Sequence, residues 1–236
     1  IEEELNRYLK NGPSKAELRR AKTKLRSSFI RGLEKVGGFG GKSDILAQYA
    51  VYTGDPGRYK ESIEAVTNAS PKKILQVANS WLKKGTYNLE VHPNDSFLVN
   101  EEGADRSKLP ETTEFPESTF VDYEKATLSN GLNLIVAQQS SVPIVNISLL
   151  LDAGYAADQF NEPGTSSLTM AMLDEGTTKL NALDISDTLA NLGATIAASA
   201  GIDNSNVSLS AMRENLDDSL KLFADIILNP SFPLNE

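Results

Sequence analysis

The sequence predicts an α+β fold made of two αβ units that a linker joins. Three observations support this prediction: residues 1–97 have mainly helical periodicity, residues 98–125 are rich in Pro, Glu, Thr and Ser, and residues 126–236 mix strand and helix patterns. Hydrophobic residues make up 40% of the 236 positions, which is enough to build a sizeable core. The chain has no cysteine, so disulfides and thiol chemistry are excluded.

Helix signals follow one another through residues 1–97. Ser14 and Glu17 form the pattern of a capping box, in which each side chain accepts a hydrogen bond from the other residue's backbone N–H. The glycines of residues 37–41 end the helix that follows, and Ser70 before Pro71 begins a later one. Residues 87–91 alternate like a strand. After the capping box, apolar residues recur at helical spacing at Leu18, Ala21, Leu25, Phe29 and Leu33.

Residues 126–236 predict a new αβ unit after the linker. Asn130-Gly131 lies between two apolar runs and predicts a tight hairpin. The apolar, β-rich run over residues 143–151 predicts a buried strand. Further periodic segments predict helices over 183–192 and 215–228 and strands over 195–200 and 206–212.

A helix-like run from Gly164 to Thr177 carries the most informative pattern of the chain. It reads Gly-Thr-Ser-Ser-Leu-Thr-Met-Ala-Met-Leu-Asp-Glu-Gly-Thr. It resembles the active-site helix of the M16 (pitrilysin/insulinase) zinc peptidases, whose pattern is Gly-x-Ala-His-x-x-Glu-His-Met-x-x-x-Gly-Thr. When the two are aligned on the closing Gly-Thr, the first metal histidine of the family falls on Ser167. The general-base glutamate falls on Met170, and the second histidine falls on Ala171.

These three residues cannot perform the chemistry of the family. Zinc requires about three protein ligands and an open position for water, and a base must lie within hydrogen-bond reach of that water. Ser167 offers one weak neutral oxygen, Met170 a thioether and Ala171 a methyl group. We therefore predict no catalytic residue and no metal site in this chain. The run is interpreted as a core helix with Leu168, Ala171, Met172 and Leu173 on its buried face.

The resemblance extends, in order, over most of the chain outside the linker. The segments that carry it are Gly37–Lys42, Gly54–Pro56, Leu128–Leu132, Glu175–Thr177, Gly193–Asp203 and Ala224–Pro233. It implies that residues 1–97 are the mainly helical C-terminal part of a first M16 half. Residues 126–236 would then be the N-terminal αβ domain of the second half, with residues 98–125 as the linker between the halves.

The resemblance also implies a function for the parent protein. The parent would be a bacterial, periplasmic zinc metalloendopeptidase that degrades peptides or unfolded proteins, and its zinc would be bound upstream of Ile1. We expect this chain to be an excised, non-catalytic segment whose partner is the rest of the parent, and which shapes the chamber and links its two halves. The first alternative is a scaffold or assembly subunit of an M16-type complex without proteolysis. The second is a peptide-binding module that adds a peptide strand to an exposed sheet edge, and such an edge also allows a homodimer.

Composition and scattered polar residues add several expectations. A net charge of −9 disfavours nucleic acid as a partner, and no apolar run approaches the ~20 residues that span a membrane. The cations of residues 15–35 predict a solvated helix face. The single histidine, His92, is interpreted as structural or exposed, and Asp174 and Glu175 as polar residues at a helix C-terminal end. The remaining acids considered, Asp203, Asp217 and Asp218, are too scattered to form an acid–base pair.

Overall fold

The computed structural model describes residues 1–92, 121–160 and 162–234. These residues form helices and two antiparallel sheets, which confirms the predicted α+β fold. The chain divides into two compact units, one formed by residues 1–79 with 140–236 and the other by residues 80–139. The predicted assignment of residues 1–97, 98–125 and 126–236 to two M16 halves and a linker stays a prediction.

The N-terminal part of the first unit is helical. Its capping box is present: Glu17 N–H donates to Ser14 Oγ at 3.2 Å, and Ser14 N–H donates to Glu17 Oε2 at 2.7 Å. Ser70 caps a later helix, because its Oγ accepts from Lys73 N–H at 3.3 Å. The helices are α1 (Glu2–Asn11), α2 (Lys15–Gly32), α3 (Lys42–Thr53), α4 (Tyr59–Thr67) and α5 (Pro71–Trp81), of which α5 ends in the second unit.

The second compact unit contains a β-hairpin, formed by β1 (Tyr123–Thr127) and β2 (Asn133–Ala137). Gly131 in its turn has φ of +87°, a conformation that glycine adopts without steric cost. The hairpin therefore forms where Asn130-Gly131 predicted it. Its first strand begins within the predicted linker, and the linker residues 98–120 lie outside the described residues.

The C-terminal part of the first unit is built on a three-stranded antiparallel sheet in the order β3-β5-β4. Its elements are β3 (Ile144–Leu151), α6 (Thr165–Ala171), α7 (Ala182–Leu192), β4 (Thr195–Ala200), β5 (Ser205–Met212) and α8 (Leu216–Leu228). Burial alternates along the central strand β5 from Ser205 to Ala211, as it does in a strand with one covered face. Val207, Leu209 and Ala211 are at most 1% exposed, and they pack with Ile185 of α7 and Ile226 of α8. One face of the sheet is therefore the core of this unit.

Two strand predictions need correction. Residues 87–91 have no regular secondary structure, so the predicted strand there is wrong. Strand β3 is only half buried: Leu149 packs on the core, whereas Leu150 is 64% exposed. The continuous apolar run predicted burial on both faces, but the opposite face of this sheet is lined by polar residues such as Ser208 and Ser210 on β5.

Helix α2 packs against the C-terminal end of α7, and this contact holds the N-terminal helices to the sheet. Gly193 ends α7 with φ of +63°, and a Cβ there would lie 3.0 Å from the Cβ of Ser27 on α2. The guanidinium of Arg31 donates to the carbonyl oxygens of Gly193 and Ser210, the latter at 3.1 Å. Partial burial lowers the pKa of Arg31, but a guanidinium stays charged in proteins. A side chain at position 193 would separate the two helices.

Replacing Gly193 by alanine should therefore destabilise the protein more than replacing Gly54. Both glycines end a helix in the left-handed conformation, but a Cβ at Gly54 would meet nothing within 4 Å. Gly54→Ala should cost about 1 kcal/mol for the backbone conformation alone. Gly193→Ala should cost about 2–3 kcal/mol, because it also forces α2 away from α7. Urea unfolding measures both, and equal losses would contradict close packing at Gly193.

Candidate functional site

The chain reaches helix α6 from the end of β3 through a turn that lies against the β4–β5 connection. A Cβ on Gly154 would lie 2.2 Å from the carbonyl oxygen of Ile202, so this position requires glycine. The next two backbone N–H groups donate across the same contact, Tyr155 to Gly201 O at 3.0 Å and Ala156 to Ile202 O at 2.9 Å. The beginning of α6 is thereby placed beside the sheet.

A buried carboxylate fixes the first turn of α6. Asp158 is 8% exposed, and its oxygens accept from Ser166 Oγ at 2.6 Å and from Ser166 N–H at 2.9 Å. These hydrogen bonds, with the hydroxyl contributing most, lower the pKa of Asp158 below its ordinary value. The ionised carboxylate also faces the positive N-terminal end of the helix. Asp158 therefore acts as a cap supplied from outside the helix.

The three positions of the zinc motif lie on two different faces of α6. Ser167 and Ala171 are four residues apart and both are exposed, so they share the outer face. Met170 is 8% exposed and belongs to the core cluster. The predicted buried face is wrong in part: Leu168 is 64% exposed, and the residues that enter the core are Met170 and Leu173. Helix α6 ends at Ala171, so Leu173 reaches the core from the following turn rather than from the helix.

The residues at these positions do not fit a zinc ion. The outer face offers a hydroxyl and a methyl group, and neither can replace an imidazole ligand. The position of the general base holds a thioether among apolar side chains, where it can take no proton from water. Within residues 1–92, 121–160 and 162–234, no three His, Cys, Asp or Glu side chains converge as a metal site would require.

The Gly-Thr end of the motif has a structural role. A Cβ on Gly176 would lie 2.7 Å from Ser231 Oγ, and Gly176 O accepts from Ser231 N–H at 3.0 Å. Thr177 is 6% exposed, and its Oγ1 accepts from the N–H groups of Lys179 and Leu180, both at 3.1 Å. The Thr177 bonds hold the local turn, and the Gly176–Ser231 contact attaches the end of the motif to the segment that follows α8.

A carboxylate on α8 strengthens that attachment. Asp225 Oδ1 accepts from Asn229 Nδ2 at 2.8 Å and lies 3.7 Å from Lys179 Nζ. Hydrogen bonds from Asn229 and then Thr177 lower the pKa of Asp225. The Gly-Thr pair is therefore explained by packing, without any reference to metal chemistry.

The other polar residues considered from the sequence are not brought together. The imidazole of His92 is exposed, with Nε2 3.2 Å from Glu90 Oε2. Asp174 and Glu175 follow the end of α6, and Asp203 is exposed in the β4–β5 turn. On α8, Asp217 is exposed and Asp218 accepts from Lys221 Nζ at 2.8 Å. The prediction that the chain has no catalytic residue stays a prediction.

Sequence reasoning missed the two carboxylates that hold the motif helix. Asp158 accepts a hydrogen bond from a residue eight positions away, and no short sequence motif predicts such a contact. Asp225 could have been suspected, because Asn229 follows it by four residues on the same helix face before Pro230.

Comparison with known proteins identifies the C-terminal part of the chain. The family model described as Insulinase (Peptidase family M16) matches residues 134–236. Residues 134–236 are therefore similar to the M16 peptidase family. An uncharacterized zinc protease of Rickettsia felis is 28% identical to this chain over 115 residues, which are 49% of this chain and 28% of that protein. The chain thus spans just over a quarter of the length of this curated relative.

Solved structures of M16 and other proteases are similar over the same fraction of the chain. One is the peptidase M16 inactive domain from Pseudomonas fluorescens, with 27% identity, 49% of this chain and 28% of that chain covered, and a TM-score of 0.47. Another is a protease from Helicobacter pylori, with 22% identity, 50% and 28% covered, and a TM-score of 0.43. Helix α6, whose sequence resembles the zinc motif, lies within the matched residues 134–236, here called the M16 segment. Among the described residues, no helix is both long and apolar enough to span a membrane.

Replacing Met170 by the glutamate that the zinc motif has at this position should destabilise the M16 segment. Met170→Glu places a carboxylate in the apolar core, and we expect a loss of about 3 kcal/mol in the free energy of unfolding at neutral pH. Met170→Leu conserves volume and polarity and should cost less than about 1.5 kcal/mol. Urea unfolding of both variants measures the difference. Equal stability of the two variants would mean that position 170 faces solvent.

The Asp158 cap should make the free energy of unfolding depend on pH in the acidic range. The folded pKa of Asp158 lies below its ordinary value of 3.8, so its stabilisation is complete above that value. Between the ordinary and the folded pKa the unfolded chain binds the proton more readily than the folded chain. The stabilisation by Asp158 is therefore lost as pH falls through the folded pKa.

Asp158→Asn should therefore be less stable than the unmodified protein at neutral pH, and the difference should shrink on acidification. Unfolding free energies from neutral pH to about pH 3 test this. Asp203→Asn is the control, because Asp203 is exposed in a turn and should shift stability little. A difference for Asp158→Asn that does not change with pH would rule out a charged cap.

Proposed function

We propose that this chain is a non-catalytic segment of a zinc-dependent metalloendopeptidase of family M16, which shapes the wall of the substrate chamber and links the two halves. One observation carries the proposal: α6 keeps the frame of the motif helix but has lost its chemistry. Asp158 caps its beginning, and Gly176 in its Gly-Thr end is hydrogen-bonded to Ser231 after α8, while positions 167, 170 and 171 carry a hydroxyl, a thioether and a methyl group. The proposed substrates of the whole protein are peptides or unfolded proteins.

The contacts of α2 support the linking role. This helix belongs to the proposed first half, and it is joined to the M16 segment by ion pairs from Arg20 to Asp187 and from Arg26 to Glu214, the latter at 2.7 Å. Arg31 adds hydrogen bonds to Gly193 and Ser210. Exposed ion pairs stabilise little, but the guanidinium of Arg31 is partly desolvated and binds two carbonyl oxygens. Such an attachment is consistent with a segment that fixes the position of one half of the protein relative to the other.

Metal and activity measurements test the proposal. After incubation with zinc and dialysis against zinc-free buffer, the chain should retain far less than one zinc ion per molecule. It should also cleave no fluorogenic peptide. The double variant Ser167→His/Ala171→His is the matched control, because both positions are exposed on one helix face and can present two imidazoles. It should gain at least about tenfold in Zn²⁺ affinity, or ~1.4 kcal/mol. One tightly held zinc in the unmodified chain, or cleavage by it, would overturn the proposal.

The whole protein separates this proposal from the scaffold alternative. A full-length protein that contains this segment should cleave an unfolded substrate, and a chelator should abolish the cleavage. Absence of zinc-dependent cleavage in the zinc-loaded protein would replace the proposed role with that of a scaffold subunit.

A further inference from the structure

A groove of about 520 Å³ lies between α2, the α4–α5 connection and the beginning of α8, away from the motif helix. Its floor is apolar. Leu18 contributes from α2, Ile63 and Val66 from α4, and Met212 from the end of β5. All of these residues belong to the first compact unit, so the groove is formed within one body.

One wall of the groove is a stripe of cations. Residues 15, 19, 22 and 26 of α2 are Lys, Arg, Lys and Arg, and spacings of four, three and four put them on one helix face. All four line the groove, where Glu214 is the only acidic residue among the described residues of the lining. The chain as a whole carries a net charge of −9, so this cationic wall is a local exception to its acidic character.

The four cations divide into two pairs with different surroundings. Lys22 Nζ donates to the carbonyl oxygen of Thr67 at 2.8 Å, and Arg26 is paired with Glu214 at 2.7 Å, so these two hold the walls together. Lys15 and Arg19 are exposed at the open end. In the part of the chain that the structure describes, the side chain of neither residue makes a hydrogen bond or an ion pair. Their charge is therefore available to a ligand.

The far rim adds to the positive field. The lining includes Ser70 and Pro71, which lie at the N-terminal end of α5. The first turn of that helix contains the exposed cations Lys72 and Lys73 and no acid, although acids are the residues that stabilise a helix N-terminus. This arrangement weakens the helix slightly, and an anionic ligand would offset the repulsion.

We propose that this groove binds an acidic polypeptide segment, with carboxylates on the α2 stripe and apolar side chains on the floor. Positions 15 to 26 span about 16 Å along the helix, a length that about five residues of extended peptide cover. The apolar floor favours a peptide over a small anion, and the absence of aromatic side chains from the lining disfavours the bases of a nucleic acid. This inference goes beyond the proposed function, because it requires neither zinc nor proteolysis by the parent.

Peptide binding to the whole 236-residue chain tests this inference. The probe is a short fluorescein-labelled peptide in which glutamate alternates with leucine, measured by fluorescence anisotropy. It should bind more weakly as salt is raised. Two peptide controls, glutamine in place of glutamate and serine in place of leucine, should each bind at least about fivefold more weakly. Equal binding of either control would overturn the inference.

Variants of α2 locate the site. Lys15→Gln/Arg19→Gln removes the two exposed cations and should weaken binding at least about fivefold, because each charge contributes up to ~1 kcal/mol. Lys24→Gln removes a cation of the same helix that does not line this groove, and it should change affinity less than about twofold. Circular dichroism checks that both variants keep their helices.

Two further outcomes would also overturn the inference. If both charge variants weakened peptide binding equally, the affinity would depend on the overall charge of α2 and not on the groove. A dimer that dissociates in Lys15→Gln/Arg19→Gln would show that a second copy of the chain, rather than a separate acidic peptide, occupies the groove.

Discussion

The close contact between α2 and the C-terminal end of α7 is the constraint on which the first compact unit depends. It exists because Gly193 has no side chain and because the guanidinium of Arg31 donates to the carbonyl oxygens of Gly193 and Ser210. The carbonyl of Gly193 lies at the C-terminal end of α7, where a cation also interacts favourably with the helix dipole. Loss of the guanidinium would remove these hydrogen bonds from a partly buried contact.

Contacts outside the three motif positions hold α6 in place. The helix is held at its beginning by Asp158 and Ser166 and at its end by Thr177 and Asp225. Neither set of hydrogen bonds involves position 167, 170 or 171. Sites without shared partners contribute almost independently to stability. Substitutions at the exposed positions 167 and 171 should therefore leave these contacts intact, whereas position 170 requires an apolar side chain because it enters the core.

Local signals predicted most of the fold, and long-range contacts account for what they missed. The capping box at Ser14, the Asn130-Gly131 turn and the glycine that ends α7 act within a few residues, so the sequence displays them directly. The burial of α6 and of β3 depends on which face the rest of the molecule covers, and periodicity cannot reveal that. The loss of zinc ligands could be seen in the sequence, but the carboxylates that hold the motif helix could not, because Asp158 lies in an irregular segment.

The cations of α2 show where a local interpretation was incomplete. The sequence predicts a solvated face, and Lys15 and Arg19 are indeed exposed. Exposure alone does not explain why like charges recur at three- and four-residue spacing, an arrangement that destabilises an isolated helix. Nor does it explain why the facing helix begins with two lysines. Departures from local electrostatic preference concentrate at functional sites, where a ligand or partner compensates for them. A concave, apolar floor between these two helices supplies the place for such a ligand, and an isolated solvated face would have none.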